Sequence, residues 1–272
     1  MKKNFKDKVF IITGASSGIG KALAIESAKQ GANLVLAARN IAKLQKVADH
    51  CQTYGIEAIA IKTDVSVPDD CKNLIDKAIE KFGKIDVLIN NAGISMRALF
   101  NEMKLEVFQK VMNINFMGTV YCTHYAINHI LKQKGSVVGI SSIAGLAPLP
   151  ARTAYSASKF AMFGFLTTLR TENRKKGLHV LIAHPGFTES EIRKHALTKD
   201  GTPQGETPRK EEKMMTAQEV ALKVLKAIRK RKNILVLTTT GKLTYLLYKF
   251  FPKMMEGVIY NAMRKEPDSP LP

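Results

Sequence analysis

The chain is poor in the residues that build metal or disulfide frameworks. Its 272 residues include three cysteines, Cys51, Cys71 and Cys122, and none forms a CxxC pair. That argues against a cysteine scaffold or a paired-thiolate zinc site and suits reduced thiols in a cytoplasmic protein. Six histidines are scattered without an HExxH spacing, so no metal is expected. Acidic residues are scarce too: 23 Asp and Glu stand against 42 Lys and Arg, a net charge of +19. Such a balance favours anionic partners: cofactor phosphates, acidic carrier proteins, membrane surfaces or nucleic acid. No nucleic-acid module signature is present, and many lysines recur at the helical spacing of a solvated face, so nucleic acid is not expected. No apolar run approaches the ~20 residues of a membrane-spanning helix. The basic and then apolar start is too short for a signal peptide and runs into a glycine turn; it reads as a first strand.

What is present is the composition of a soluble globular protein, 45% hydrophobic and 24% charged. The length suits one α/β domain over residues 1–272. Val9–Thr13, Asn33–Ala37, Ala58–Lys62, Val87–Ile89, Val137–Ile140, His179–Ala183 and Ile234–Leu237 read as buried strands. Ile19–Gln30, Ile41–Tyr54, Pro68–Phe82, Leu105–Leu131 and Ala154–Lys176 read as helices between them. Strand–helix alternation implies a doubly wound, mostly parallel sheet with helices on both faces. Gly31, Gly55, Gly83, Gly135 and Gly177 follow helical segments, where C-terminal caps are expected. The polar stretch Asp200–Glu212 breaks the rhythm. It follows the sixth strand, beside the carboxyl ends where such sheets bind ligands, and a substrate loop is expected over about residues 188–216.

Three motifs carry chemistry. The turn Thr13-Gly-Ala-Ser-Ser-Gly-Ile-Gly20 follows a strand and opens a helix. Gly14, Gly18 and Gly20 permit a tight turn and close approach of backbone to a pyrophosphate, and the helix start offers free N–H groups. After the second strand stands Arg39, with no acidic residue nearby. An acid there would bind ribose hydroxyls and select NAD, whereas the arginine fork fits a 2′-phosphate, so NADP is expected. The run Tyr155-Ser-Ala-Ser-Lys159 places a phenol and an ammonium at i and i+4, on one helix face. A nearby cation favours the phenolate and suits the tyrosine to proton exchange with a carbonyl or alcohol oxygen.

Together these residues resemble the short-chain dehydrogenase/reductase family over about residues 6–190. The resemblance extends to Asp64, the run Asn90-Asn-Ala-Gly93, the run Asn115-Phe-Met-Gly118, Ser142 and the pair Pro185-Gly186. It implies one doubly wound Rossmann sheet of about seven strands. It also implies a catalytic set of Asn115, Ser142, Tyr155 and Lys159. Tyr155 would be the general acid in ketone reduction, and Ser142 would hydrogen-bond the substrate oxygen. Lys159 would bind the nicotinamide ribose and depress the tyrosine pKa, and Asn115 would hold a helix bend. Gly14, Ser16, Ser17, Gly18, Ile19, Gly20, Arg39, Asp64, Val65, Asn91, Ala92 and Gly93 would line the cofactor with Tyr155 and Lys159. Pro185, Gly186, Thr188 and Ser190 would face the nicotinamide. A homodimer or homotetramer through the two long helices is implied as well.

Beyond the shared core, Leu243, Leu246, Leu247, Phe250, Met254, Val258, Ile259 and Ala262 recur at three- and four-residue steps. They mark an amphipathic extension over about residues 242–265, broken near Pro252. Core or dimer packing, a lip over a hydrophobic substrate, and an interfacial helix on anionic lipid all suit this pattern. The tail resembles those of steroid-dehydrogenase-like and lipid-ketone reductases, including the branch that reduces acyl-dihydroxyacetone phosphate. The implied activity is NADP-dependent interconversion of a hydrophobic ketone and its alcohol, by a cytoplasmic or membrane-peripheral protein. A 3-oxoacyl-carrier-protein reductase and a non-enzymatic NADP-binding protein stay open.

Overall fold

The computed structural model of the chain describes residues 4–188, 192–205 and 214–272. Seven parallel strands form one sheet: β1 Val9–Thr13, β2 Asn33–Ala38, β3 Ala58–Lys62, β4 Val87–Asn90, β5 Ser136–Ile140, β6 His179–His184 and β7 Ile234–Val236. Their spatial order is β3-β2-β1-β4-β5-β6-β7. The order reverses between β1 and β4, and the carboxyl ends of those strands open a crevice there.

Nine α-helices accompany the strands among the described residues. They are α1 Gly18–Lys29, α2 Ile41–Gln52, α3 Pro68–Phe82, α4 Leu105–Met112, α5 Gly118–Lys132, α6 Thr153–Glu172, α7 Ala217–Arg229, α8 Thr239–Phe250 and α9 Pro252–Arg264. Alternate side chains of a strand point to opposite faces, so each strand feeds two cores. Phe10, Ile12, Leu34 and Leu36 pack with residues of α1, α2 and α7. Ile11, Val35, Ala37 and Leu88 pack with residues of α3, α5 and α6.

Most expected elements differ from the structure by one or two residues at their ends. Larger departures have local causes. The continuous helix expected over Leu105–Leu131 is interrupted by a π-helical turn at Asn113–Met117. Such bulges turn a side chain out of helical register, and here the segment contains Asn115. Helix α7 was not among the expected elements. Its start is stabilised by a capping box, Thr216 with Glu219. Gly135 is no left-handed cap: Lys134 takes the positive φ, 48°. Glycine stands at 135 because a Cβ there would lie 2.3 Å from the Asp86 carbonyl oxygen. The break expected near Pro252 is present, with α9 starting on that proline.

Candidate active site

The glycine turn joins β1 to α1. Gly14 and Gly18 adopt φ of 65° and 51°, a region that other residues rarely enter. Gly20 is required by contact: a Cβ there would lie 2.2 Å from the Gly14 carbonyl oxygen and 2.5 Å from Asn91 Nδ2. Ser17 precedes the helix without a side-chain capping bond, and the first turn carries no acid. The initial N–H groups therefore keep their donors and the positive end of the helix dipole. Ser16 and Ile19 lie in the same turn, half-buried.

Residues after β4 lock against this turn. Asn91 Nδ2 donates to the carbonyl oxygens of Thr13, at 2.9 Å, and Gly14, at 3.3 Å. Thr13 Oγ1 accepts from the backbone N–H groups of Asn91 and Ala92, each at 3.0 Å. Thr13 is thus the brace between β1 and the Asn91 segment, a role the sequence motif does not disclose.

The four expected catalytic residues converge at the carboxyl ends of β4 and β5. Asn115 is fully buried in the π turn. Its Oδ1 accepts from Ile94 N at 2.8 Å, and its Nδ2 donates to Ile94 O at 2.9 Å and Ser158 Oγ at 3.0 Å. Ser158 Oγ in turn donates to the Tyr155 carbonyl at 2.7 Å, tying the bend to the tyrosine's own helix. Gly93 allows this arrangement, since a Cβ there would lie 3.1 Å from Asn115 Oδ1 and 3.5 Å from Lys159 Nζ. Ser142 begins a short 3₁₀ turn, and its hydroxyl accepts from Ala144 N at 3.2 Å. That hydroxyl also acts on the Tyr155 phenol, favouring its ionised form.

The electrostatics correct one expectation. The Tyr155 pKa is raised, not lowered. Burial holds the phenol above its ordinary value, against the opposing effects of the Ser142 hydrogen bond and the Arg152 charge. Lys159 is itself buried, which lowers its ammonium to about 8. Its Nζ donates to Ile140 O at 2.9 Å and lies 5.7 Å from the centre of the Tyr155 ring. The i, i+4 spacing therefore brings the pair together, and burial has the largest influence on each group.

Two further groups border the site without a sequence signal. Arg152, which precedes α6, pairs with the buried Glu266 at 2.9 Å, and Arg97 lies 3.9 Å from the same carboxylate. The segment after α9 is thereby tied to the start of the tyrosine helix. His184 is fully buried at the end of β6, its Nδ1 2.8 Å from the Ser142 carbonyl oxygen. Among the described residues its Nε2 has no hydrogen-bond partner. Burial first, then the Lys159 charge, lower this imidazole to about 4, against the Ser142 carbonyl, which favours the cation.

A pH dependence follows from His184. In the unfolded chain an imidazole titrates near its ordinary value of about 6.5. Above that pH both states are neutral and His184 has no effect. As pH falls toward 4, the unfolded state binds the proton that the folded state refuses, so stability is lost across that window. The full loss is about 3 kcal/mol. Denaturant unfolding between pH 7 and 4 should therefore show a shallower decline for His184→Asn than for the unaltered chain. Parallel curves would contradict this.

The remaining expected positions are placed as follows. Arg39 is exposed at the end of β2. Its charge helps hold Asp64 below the ordinary carboxylate range; burial opposes this, and hydrogen bonds from Ser66 contribute most to the lowering. Val65 is buried against Gly118, where a Cβ would lie 2.7 Å from Val65 Cγ2. The Pro185 carbonyl accepts from Ile143 N at 3.1 Å, which joins the Pro185-Gly186 pair to the Ser142 turn. Thr188 is buried, its hydroxyl donating to Gly186 O at 3.2 Å. Ser190, and residues 206–213 of the expected substrate loop, lie outside the described residues.

The family model for short chain dehydrogenases matches residues 8–201, more than two thirds of the chain. The chain belongs to the short-chain dehydrogenase family. A Dictyostelium discoideum protein named dehydrogenase/reductase SDR family protein 7-like is 34% identical across 94% of this chain and 81% of its own length. An 11-beta-hydroxysteroid dehydrogenase A from Arachis hypogaea is 44% identical, covering 71% of this chain and 56% of that protein. For an 11-beta-hydroxysteroid dehydrogenase-like protein of Arabidopsis thaliana the identity is also 44%, over 70% of this chain and 62% of that one. The chain thus spans less than two thirds of the length of both plant relatives.

Among solved structures, a short-chain dehydrogenase/reductase from Burkholderia phymatum in complex with NAD is 27% identical. It superposes with a TM-score of 0.83 over 92% of this chain and 96% of that one. An alcohol dehydrogenase from Thermococcus sibiricus, complexed with 5-hydroxy-NADP, is 26% identical with a TM-score of 0.76, over 85% and 95% of the two chains. The family implies a nicotinamide dinucleotide, and this turn fits one. Gly14 and Gly20 leave no room for a Cβ against Asn91, Ala92 and the Gly14 carbonyl, which keeps the turn tight, and the start of α1 beside it has no side-chain cap and no acid in its first turn. Among the described residues no group of histidine, cysteine and carboxylate side chains could hold a metal.

Proposed function

We propose that this short-chain dehydrogenase is an NADP(H)-dependent reductase that interconverts a hydrophobic ketone and its secondary alcohol. The observation that carries the reading is the assembly of Tyr155, Ser142, Lys159 and Asn115 beside the glycine turn. The bound nicotinamide supplies or accepts hydride. Tyr155 Oη gives its proton to the carbonyl oxygen in reduction and takes it back in oxidation. Ser142 Oγ, which acts on the same phenol, orients that oxygen. Lys159 contributes a buried charge whose value near 8 lets it exchange protons close to neutral pH. Asn115 keeps the π turn fixed through both Ile94 and Ser158.

Gly14, Ser16, Ser17, Gly18, Ile19 and Gly20 would hold the pyrophosphate. Asn91, Ala92 and Gly93, with Pro185, Gly186 and Thr188, would hold the nicotinamide end, and Asp64 and Val65 the adenine. Arg39, exposed and without an acidic residue beside it in sequence, supports a 2′-phosphate and hence NADP. The plant relatives named for hydroxysteroids support a bulky apolar substrate. So does the packing of Tyr155 against the cluster of Met96, Met103, Val107 and Leu197. The segment over residues 188–216 would border that substrate. A homodimer or homotetramer through α5 and α6 belongs to the same reading; Phe160 on α6 is 42% exposed.

Oxidation of NADPH and NADH in the presence of ketones of graded apolarity tests the proposal. NADPH should be preferred, and kcat/KM should rise with the apolar bulk of the ketone. A charge-assisted contact to phosphate contributes roughly 1.5–3 kcal/mol, so Arg39→Asp should reduce the NADPH preference about tenfold or more. An unchanged cofactor ratio would make Arg39 a mere surface charge. No turnover with any ketone in either cofactor would remove the functional reading.

A further inference from the structure

We infer that the α8–α9 hairpin seats this chain on an anionic lipid surface, an interaction that goes beyond the proposed chemistry. The hairpin has two apolar faces and only one is used internally. Met255, Ile259 and Met263, at four-residue steps, pack on Ala147 and Leu149 with Leu247 and Tyr248. The other face carries Leu243, Leu246, Phe250, Phe251, Met254 and Val258, each between 53% and 62% exposed. These are six of the fourteen exposed large hydrophobic side chains among the described residues, gathered within sixteen positions. In α8 the three exposed positions recur at steps of three and four, and Met254 and Val258 repeat the step of four in α9, so each helix presents one stripe. Scattered apolar residues are ordinary on a surface, whereas a contiguous patch marks an interaction site.

Charge decides what covers the patch. Residues 239–265 hold Lys242, Lys249, Lys253, Arg264 and Lys265 against the single acid Glu256. All five bases are exposed, and Lys249 Nζ lies 5.8 Å from the centre of the Phe250 ring. A second copy packed face to face would bring these like charges together. Anionic headgroups complement them, and the apolar side chains reach the acyl boundary, as in an interfacial helix. No helix among the described residues is long and apolar enough to cross a membrane, so the contact is peripheral. The hairpin is also rooted on the segment that carries Ser142, for a Cβ on Gly241 would lie 2.5 Å from Ile143 Cδ1. A docked surface therefore lies against the frame of the active site.

Co-sedimentation of the full chain with phosphatidylcholine vesicles, with and without phosphatidylglycerol, tests this. Binding is expected only with phosphatidylglycerol, and it should weaken as salt rises. Lys249→Gln with Lys253→Gln should lower the apparent affinity on the order of 30-fold. Phe250→Asp with Phe251→Asp should abolish binding without changing the melting temperature, because both side chains face solvent. If that pair fails to fold, Leu246→Ser with Val258→Ser gives the same reading through other positions of the face. Three results would overturn the inference: no binding of the unaltered chain to phosphatidylglycerol vesicles, binding undiminished by the folded apolar-face variants, or a solution dimer that those variants dissociate. The last would assign the face to a second copy.

Discussion

Tyr155→Phe is expected to lower turnover by ~10²–10⁴-fold while leaving dinucleotide affinity unchanged. The change deletes one hydroxyl and keeps the ring, which packs with the cluster around Met96 and Val107. It also leaves the Lys159 bond to Ile140 O and the Asn115 bonds to Ile94 in place. The fold and the glycine turn should therefore survive, and only proton transfer should fail. Arg152 and Ser142 act on the phenol and would have no group left to tune. Steady-state rates and NADPH titration on the same preparation separate the two effects. Near-normal turnover would remove Tyr155 from the chemistry. A parallel loss of nucleotide affinity would make the hydroxyl a binding group instead.

Gly20→Ala is expected to weaken dinucleotide binding, by a different route. The added methyl would lie 2.2 Å from the Gly14 carbonyl oxygen, 2.8 Å from its carbon and 2.5 Å from Asn91 Nδ2. The first two are backbone atoms and cannot swing away as a side chain can. Either the turn opens or α1 shifts, and both displace the N–H groups that would meet the pyrophosphate. Overpacking in a tight site costs typically about 1–3 kcal/mol, so dinucleotide affinity should fall roughly 5- to 160-fold. Gly257→Ala is the control, since a Cβ there meets nothing within 4 Å. Equal nucleotide affinity in Gly20→Ala and the unaltered chain would contradict the cradle.

The same contrast shows how much of the molecule is legible in its sequence. Strand positions could be read because their residues are buried on both faces and form short apolar runs; all five residues of β1 and all six of β6 are buried. The glycine turn and the Tyr155–Lys159 pair could be read because their chemistry depends on near neighbours in the chain. The apolar pattern alone does not show the π turn at Asn113–Met117, since it continues from α4 into α5; only the family resemblance points to a bend at Asn115, and contacts with Ile94 and Ser158 hold it. Gly135 looked like a cap by position, yet its requirement comes from Asp86, 49 residues earlier.

Burial also decides the acid–base character of the site. The sequence places a cation beside a phenol and predicts a lowered phenol pKa. Burial in the folded chain, partial for Tyr155 and nearly complete for Lys159, raises the phenol and lowers the ammonium. Ser158, Arg152, His184 and Glu266 were invisible for the same reason: each acts through a partner brought close by the fold. The expected substrate loop was suggested by its polarity and its place after β6, but part of it lies outside the described residues.

The most direct test follows the hydride. NADPH carrying deuterium at the transferable C4 position would be incubated with the unaltered protein and a bulky apolar ketone, and the alcohol product analysed by mass spectrometry. The account predicts one deuterium on the carbinol carbon, and a label transfer rate in Tyr155→Phe that falls with turnover. An unlabelled alcohol, or equal transfer by the phenylalanine variant, would contradict it.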